Sequence, residues 1–188
     1  MEKLLNLFQS IHPLSDELHA YLPKVIRSRE IPRKSFFLKS GHVCRSIGYI
    51  ENGLLRCYYE RNDLEICSHF LREGEIIVSA RSFFTQLPSS EYIQSLEDTL
   101  LYYIEYNDIQ HLYKVFPEFN IITRVLTERY YIKNEQMLFA LRMQRSHERY
   151  AFLMQKFPEL IQRVPSKYLA SFLGITDVTL SNVKKMIS

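Results

Sequence analysis

The spacing of apolar positions changes period twice along the chain. In MEKLLNLFQSIHPLSDELHAYL they recur at helical intervals on both sides of Pro13, which predicts two short amphipathic helices rather than a signal peptide. From Ile31 the pattern shortens to β-like runs. Phe36, Phe37 and Leu38 precede Gly41; Ile47, Tyr49 and Ile50 precede Asn52-Gly53; Leu54, Leu55, Cys57, Tyr58 and Tyr59 follow it. Asn-Gly between apolar runs predicts a hairpin, because both residues tolerate positive φ. A second hairpin is expected at Arg61-Asn62-Asp63 and a corner at Gly74-Glu75. Later strands are expected around Tyr92, Gln94 and Leu96 and around Leu100, Tyr102 and Ile104. Many short strands with turns at about 8–12-residue spacing predict a small barrel, jelly roll or sandwich.

From Pro117 the helical period returns. Ile122, Val125, Ile132 and Phe139 form one stripe and Leu126, Tyr130, Met137 and Leu141 a neighbouring one, with polar Arg129, Lys133 and Gln136 beside them. A helix of roughly 25 residues with two apolar flanks can bury one on its own β domain and offer the other to a second copy. A homodimer seam is therefore expected at Ile122, Val125, Arg129, Ile132, Gln136 and Phe139. Pro158 and Pro165 separate a helix around Ser146 to Phe157 from the last segment, VPSKYLASFLGITDVTLSNVKK. That segment reads as a helix-turn-helix. Leu169, Phe172 and Leu173 share one face of a first helix, Gly174 makes the turn, and Thr176 can cap a second helix carrying Val178, Leu180 and Val183. Small Ala170 allows a close crossing. Thr179, Ser181, Asn182, Lys184 and Lys185 leave an exposed face of donors suited to a major groove.

Composition and charge narrow the partners. The chain has 188 residues, is 46% hydrophobic and 24% charged, and can bury a proper core. No apolar run approaches the roughly 18 residues of a membrane span, so a cytoplasmic protein is expected. Residues 1–119 hold 13 Lys+Arg against 16 Asp+Glu, whereas residues 120–188 hold 11 against 5. The basic third is thus the one with the groove-sized helix, which suits double-stranded DNA through counterion release. Cys44, Cys57 and Cys67 lack CxxC spacing, and His12, His19, His42, His69, His111 and His147 include no His-x-His. Neither a disulfide framework nor a metal site is expected. No P-loop, G-x-G-x-x-G or Ser-His-Asp order is visible, so no cofactor and no catalysis are expected.

The order of parts resembles the Crp/Fnr family of bacterial transcription regulators. The resemblance rests on Leu38-x-x-Gly41, the strand around Tyr49 and Ile50, Gly53 and Gly74-Glu75 as glycine corners. It rests further on SHERYAFLMQKFPEL (Ser146 to Leu160) and YLASFLGITDVTLSNVKK (Tyr168 to Lys185). The latter two are similar to the short members common in Bacteroidetes. The resemblance implies an α+β fold: an antiparallel, jelly-roll-like double-stranded β-roll with flanking helices, a long dimerisation helix, and a carboxy-terminal helix-turn-helix. It implies a β-roll sensor domain over 1–116, a dimerisation helix over 117–142 and a DNA-binding domain over 143–188. Only Met186, Ile187 and Ser188 follow Lys185, so the family's β-hairpin wing is expected to be truncated or absent.

Two sites depart from the family's pattern. Nucleotide-binding members use a Gly-Glu pair and an Arg-Ser pair to hold the cyclic phosphate and ribose; here Val78-Ser79 and Ser89-Ser90 stand in those places. No Arg lies between Arg81 and Arg124, and Arg81 itself reads as a strand-edge surface charge. Asn134 and Glu135 fall where the family's helix presents small hydroxyl residues to the base. Cyclic AMP and cyclic GMP are therefore not expected to bind. An unidentified apolar or weakly polar effector would meet Ile77, Val78, Ser79, Phe83, Phe84, Ser89, Ser90, Tyr92 and Asn134. In the recognition helix, Asp177-Val178 and Asn182 replace the family's Arg-Glu and Arg. Asn182 can address adenine, Val178 can pack on a thymine methyl, and Asp177 can complement the helix dipole. Thr176, Thr179 and Lys185, with Ser166 and Lys167 on the first helix, would position phosphates. RNA polymerase becomes a partner if the protein activates. Two other readings stay open: a cyclic-nucleotide-like sensor acting on protein partners, and a cupin-like metal-binding protein.

Overall fold

A computed structural model describes residues 1–143 and 145–187. The chain divides into two compact units, one of residues 1–57 with 71–128, the other of 58–70 with the described residues of 129–188. These divisions differ from the expected boundaries at 116 and 142. The long helix is shared between units, and a hairpin from the middle of the β region belongs with the helices.

The first unit opens with α1 (Glu2–Ile11) and α2 (Asp16–Val25), separated at Pro13 as the apolar pattern implies. The Ser15 hydroxyl caps α2 by accepting the Leu18 N–H at 3.2 Å. Among the described residues, the chain then forms eight strands: β1 (Arg27–Ile31), β2 (Phe36–Leu38), β3 (Ser46–Asn52), β4 (Leu54–Arg61), β5 (Leu64–Arg72), β6 (Ile76–Ile77), β7 (Tyr92–Ser95) and β8 (Thr99–Glu105). They form two four-stranded sheets, ordered β1-β8-β3-β6 and β2-β7-β4-β5. The helix α3 (Ala80–Thr85) lies between β6 and β7, and α4 (Tyr106–Val115) follows β8. The antiparallel β-roll reading holds.

Two local expectations are corrected. Asn52-Gly53 is not a hairpin turn, because β3 and β4 belong to different sheets. Gly53, at φ +110°, is a corner where the chain changes sheet, and a Cβ there would stand 2.8 Å from the Thr99 Cα. β1 begins at Arg27, before Ile31, although its residues alternate no apolar groups: RSRE is exposed and only Ile31 is buried. Its order comes from pairing with β8, from Arg27 opposite Tyr103 to Ile31 opposite Thr99. Tertiary pairing outweighs the weak local preference.

Between the sheets and helices lies a continuous core. Leu4 and Phe8 of α1, Leu18 and Leu22 of α2, Ile50, Leu55, Phe83 and Ile93 are buried together with Ile109 and Leu112. The helix α5 (Pro117–Met143) enters this core with its first turns through Phe119 and Ile122. The Phe8 ring meets Phe119 edge-on at 6.0 Å.

The second unit contains the outer parts of β4 and β5 around Asn62 and Asp63, whose φ values of 50° and 61° confirm the expected second hairpin turn. It also holds α5 from Arg129, α6 (Ser146–Lys156), α7 (Pro158–Arg163), α8 (Ser166–Leu173) and α9 (Asp177–Ile187). Glu148 accepts the Arg145 N–H at 2.6 Å and starts α6, while Pro158 occupies the first turn of α7. Leu153, Leu160, Leu169, Phe172, Leu173, Leu180 and Val183 are buried. Among the described residues, no helix is long and apolar enough to cross a membrane.

Candidate nucleic-acid interface and effector pocket

The helix-turn-helix is built as its residues dictate. Gly174, at φ +63°, ends α8 in the left-handed conformation, and the Ile175 N–H donates to the Ala170 carbonyl at 3.0 Å. Thr176 then caps α9, its hydroxyl accepting the Thr179 N–H at 3.1 Å and bonding the Thr179 hydroxyl at 2.9 Å. Leu180 and Val183 turn inward. That leaves Asp177, Val178, Ser181, Asn182 and Lys185 on the exposed face, Val178 with 71% of its surface open. An apolar side chain this exposed, flanked by an amide and a hydroxyl, can contact base edges without bulk. Asp177 lies in the first turn, where the helix dipole favours a negative charge.

The flanking donors Ser166 and Lys167 are exposed at the start of α8. The Lys184 ammonium donates to the Ser166 hydroxyl at 3.2 Å, which joins a donor of the second helix to an expected phosphate contact of the first. Every residue singled out for DNA lies in this one unit, exposed or partly exposed.

The expected effector pocket is less coherent. Ile77, Val78, Ser79, Phe83, Ser89 and Tyr92 belong to the first unit, and all but Val78 and Tyr92 are buried. Ser79 donates to the Glu91 carboxylate at 2.6 Å, and its hydroxyl lies 3.1 Å from that of Ser89. The Ser89 hydroxyl also accepts the Glu91 N–H at 3.0 Å. The Ser89 carbonyl in turn accepts the Gly41 N–H at 2.8 Å. The positions that would cradle a phosphate thus hold a carboxylate bonded to Ser79, while Ser89 is bonded to the Glu91 backbone. Sequence reasoning missed Glu91, although an acid two positions beyond Ser89 was visible.

Three other residues assigned to the pocket have different surroundings. Phe84 and Ser90 are on the surface, the Phe84 ring meeting that of Phe83 edge-on at 5.5 Å. Asn134 lies in the other unit and bonds His69 at 2.8 Å. Arg81 stands exposed on α3 rather than at a strand edge, since residues 80–85 are helical. Arg56, overlooked in the sequence, is buried. Its guanidinium donates twice to the Gln94 side-chain oxygen, at 2.9 and 2.7 Å. Strand alternation puts it on the face opposite Leu55 and Cys57, which join the core. Cys44 is buried and donates to the Ser46 carbonyl at 3.3 Å; burial pushes its thiol above the ordinary range.

The expected dimer seam divides between two environments. Ile122 is fully buried in the core of the first unit and cannot line a seam, which corrects that assignment. Ile132 and Phe139 are 53% and 64% exposed, and Arg129 and Gln136 are exposed beside them. Val125 is partly buried. Tyr131 and Leu138, one position before each exposed apolar residue, widen the same stripe and were not recognised from the sequence. Their seven-residue repeat was the available signal. Among the described residues, no group of three or more His, Cys, Asp or Glu is placed to hold a metal.

Comparison with known proteins gives the fold a context. Residues 28–115 match the sequence profile of the cyclic nucleotide-binding domain. No curated protein sequence matches the chain. Among solved structures, it is similar to a Crp/Fnr-family transcriptional regulator from Eubacterium rectale, at 14% identity with a TM-score of 0.76, over 96% of this chain and 87% of that one. It is similar also to FixK2 from Bradyrhizobium japonicum, at 13% identity and a TM-score of 0.73, over 87% and 84%. A third is the c-di-GMP-responsive global regulator CLP of Xanthomonas campestris, at 17% identity and a TM-score of 0.70, over 90% and 89%.

Proposed function

We propose that this chain, which carries a cyclic nucleotide-binding domain and shares the fold of Crp/Fnr-type regulators, is a cytoplasmic, dimeric, DNA-binding transcription regulator that does not use cyclic nucleotides. The observation that carries the reading is the exposed face of α9. Val178, Ser181, Asn182 and Lys185 lie together on a helix whose opposite face is fixed by Leu180 and Val183. Asn182 reads adenine and Val178 a thymine methyl, so the preferred half-site is rich in A·T. Ser166, Lys167, Thr176, Thr179 and Lys185 hold phosphates.

Two copies would join along Val125, Arg129, Ile132, Gln136 and Phe139, and the pairing would present two recognition helices to a palindromic site. Cyclic nucleotides are disfavoured by Glu91. A phosphate placed against Ser79 and Ser89 meets a carboxylate and no guanidinium among their bonded partners. An effector, where one exists, would be uncharged or weakly polar. RNA polymerase is a further partner if the protein activates.

The test is sequence-resolved DNA binding by the purified full chain. Asn182→Ala is expected to flatten preference at one base pair per half-site, at a cost of about 1–3 kcal/mol of discrimination. Lys185→Ala is expected to weaken all sequences alike and to lower the log–log salt slope by about 0.9 per lost phosphate contact. An Asn182→Ala protein with undiminished sequence preference would rule out α9 as the reading helix. Calorimetry with cyclic AMP and cyclic GMP is expected to show no saturable heat, and a micromolar isotherm would refute the effector reading.

A further inference from the structure

We propose that the β4–β5 hairpin around Asn62 and Asp63 is an acidic latch on the helix-turn-helix, fastened by the Ser171 hydroxyl, and that it lowers the affinity of the recognition surface for DNA. The inference rests on the DNA-binding reading above and adds how that surface is regulated.

The fastening is specific. Ser171 of α8 accepts the Cys67 N–H at 3.0 Å and donates to the Glu65 carbonyl at 2.8 Å. Groups two residues apart on one edge of a strand are those that a further strand would engage. One hydroxyl thus takes both a donor and an acceptor on β5, and the Phe70 ring packs on Phe172 at 5.2 Å beside it. The hairpin is tied to the helix-turn-helix by the Ser171 hydroxyl's two bonds to its backbone as well as by apolar contact.

The charge of the latch is opposite to what DNA requires. Hairpin and helix-turn-helix together line a groove of about 920 Å³. One wall carries Glu60, Asp63 and Glu65; the other carries Lys167, Thr176 and Asp177. Lys167 and Thr176 are two of the proposed phosphate contacts. A phosphate reaching them enters the groove that also holds the three hairpin carboxylates. The repulsion acts within a Debye length of about 8 Å at physiological salt. Opening the hairpin removes those charges and frees Ser171, a further hydroxyl on α8, so the open form binds DNA more tightly than the closed one.

The experiment compares four full-length proteins on a fluorescein-labelled duplex of mixed sequence. They are the wild type, the neutralised hairpin Glu60→Gln/Asp63→Asn/Glu65→Gln, Ser171→Ala, and a charge-matched control, Glu2→Gln/Glu17→Gln/Glu30→Gln, at exposed positions of the first unit. The neutralised hairpin is expected to bind on the order of tenfold tighter at low salt, with the gain shrinking as salt rises. The control removes the same number of charges from outside the groove and should stay within about twofold of wild type, as expected if net charge alone is not what the hairpin supplies. Hydrogen exchange gives a reading independent of affinity. The Cys67 amide should be protected in the free wild type, and exposed in Ser171→Ala and in the DNA complex. Equal affinities for wild type and neutralised hairpin, or an equal gain in the control, would overturn the latch while leaving DNA binding intact. Binding by none of the four proteins at any salt would instead remove the DNA reading, and the latch with it. Should Ser171→Ala fail to fold, the neutralised hairpin, altered only at exposed or half-buried side chains, still decides the matter.

Discussion

Gly53 shows how much a single backbone position can carry. At φ +110° it turns the chain from one sheet to the other, and any side chain there would press on the Thr99 backbone. Gly53→Ala is expected to cost at least about 2 kcal/mol, through strain and displacement together. Gly174→Ala, at φ +63° with open space around it, should cost nearer 1 kcal/mol. Urea denaturation of the two variants measures the difference. Cys44 makes a prediction in pH. Burial raises its thiol pKa above the ordinary 9.0, so the folded state holds the proton longer than the unfolded chain. Its contribution to stability is complete below pH 9 and is lost as pH rises through the folded value. Cys44→Ala should therefore flatten the alkaline side of the stability profile, read by denaturation between pH 8 and 11. Glu91 marks the limit of reading at this scale. Its acidity was plain in the sequence, but its carboxylate's bond to Ser79 depends on how the chain folds back across α3, twelve residues away.

At the scale of elements, strong periodicity was legible and pairing was not. The long α5 and the two helices of the helix-turn-helix announce themselves through repeats of three and four, caps and a turn glycine, all of which act locally. The strand β1 and the short helices α3 and α4 went unrecognised, because their order depends on partners remote in sequence. The dipeptide Asn52-Gly53 was legible as a turn but not as a change of sheet, since its composition permits positive φ at both residues and the fold uses it only at Gly53. α5 presents two environments along its length, a buried start and an exposed apolar stripe. Ile122→Ala should cost about 2–5 kcal/mol, as burial in a core requires, without altering self-association. The pair Ile132→Glu and Phe139→Glu should leave the fold intact and yield monomers in sedimentation, because charges would enter a desolvated seam. The start of α5 is also tied to α2. Ser15 donates to the Glu118 carboxylate at 2.5 Å while capping its own helix, and that hydrogen bond holds the Glu118 carboxyl below the ordinary range. Ser15→Ala should cost about 1 kcal/mol near neutral pH. The Glu118 share is present above pH 4.5 and fades on acidification, so the variant and wild type should converge partly as pH falls.

For the whole molecule, the uneven charge and the division of labour agree. The basic third supplies the proposed nucleic-acid surface, and the acidic remainder supplies the roll and the hairpin. The roll's topology has a consequence for synthesis. β1 pairs with β8 and β2 with β7, so the first strands made wait for the last ones. A nascent chain that has emerged only to Leu87 has no partner for β1 or β2, and its apolar strands stay open to chaperones and to one another. The closing contacts also span long loops, which slows the final step relative to a helical protein of similar size. Ribosome-arrested chains ending at Leu87 should therefore be cut readily by protease, whereas chains with residues 1–128 outside the tunnel should resist. Birth order thus makes β8 the strand on which the whole β-roll waits.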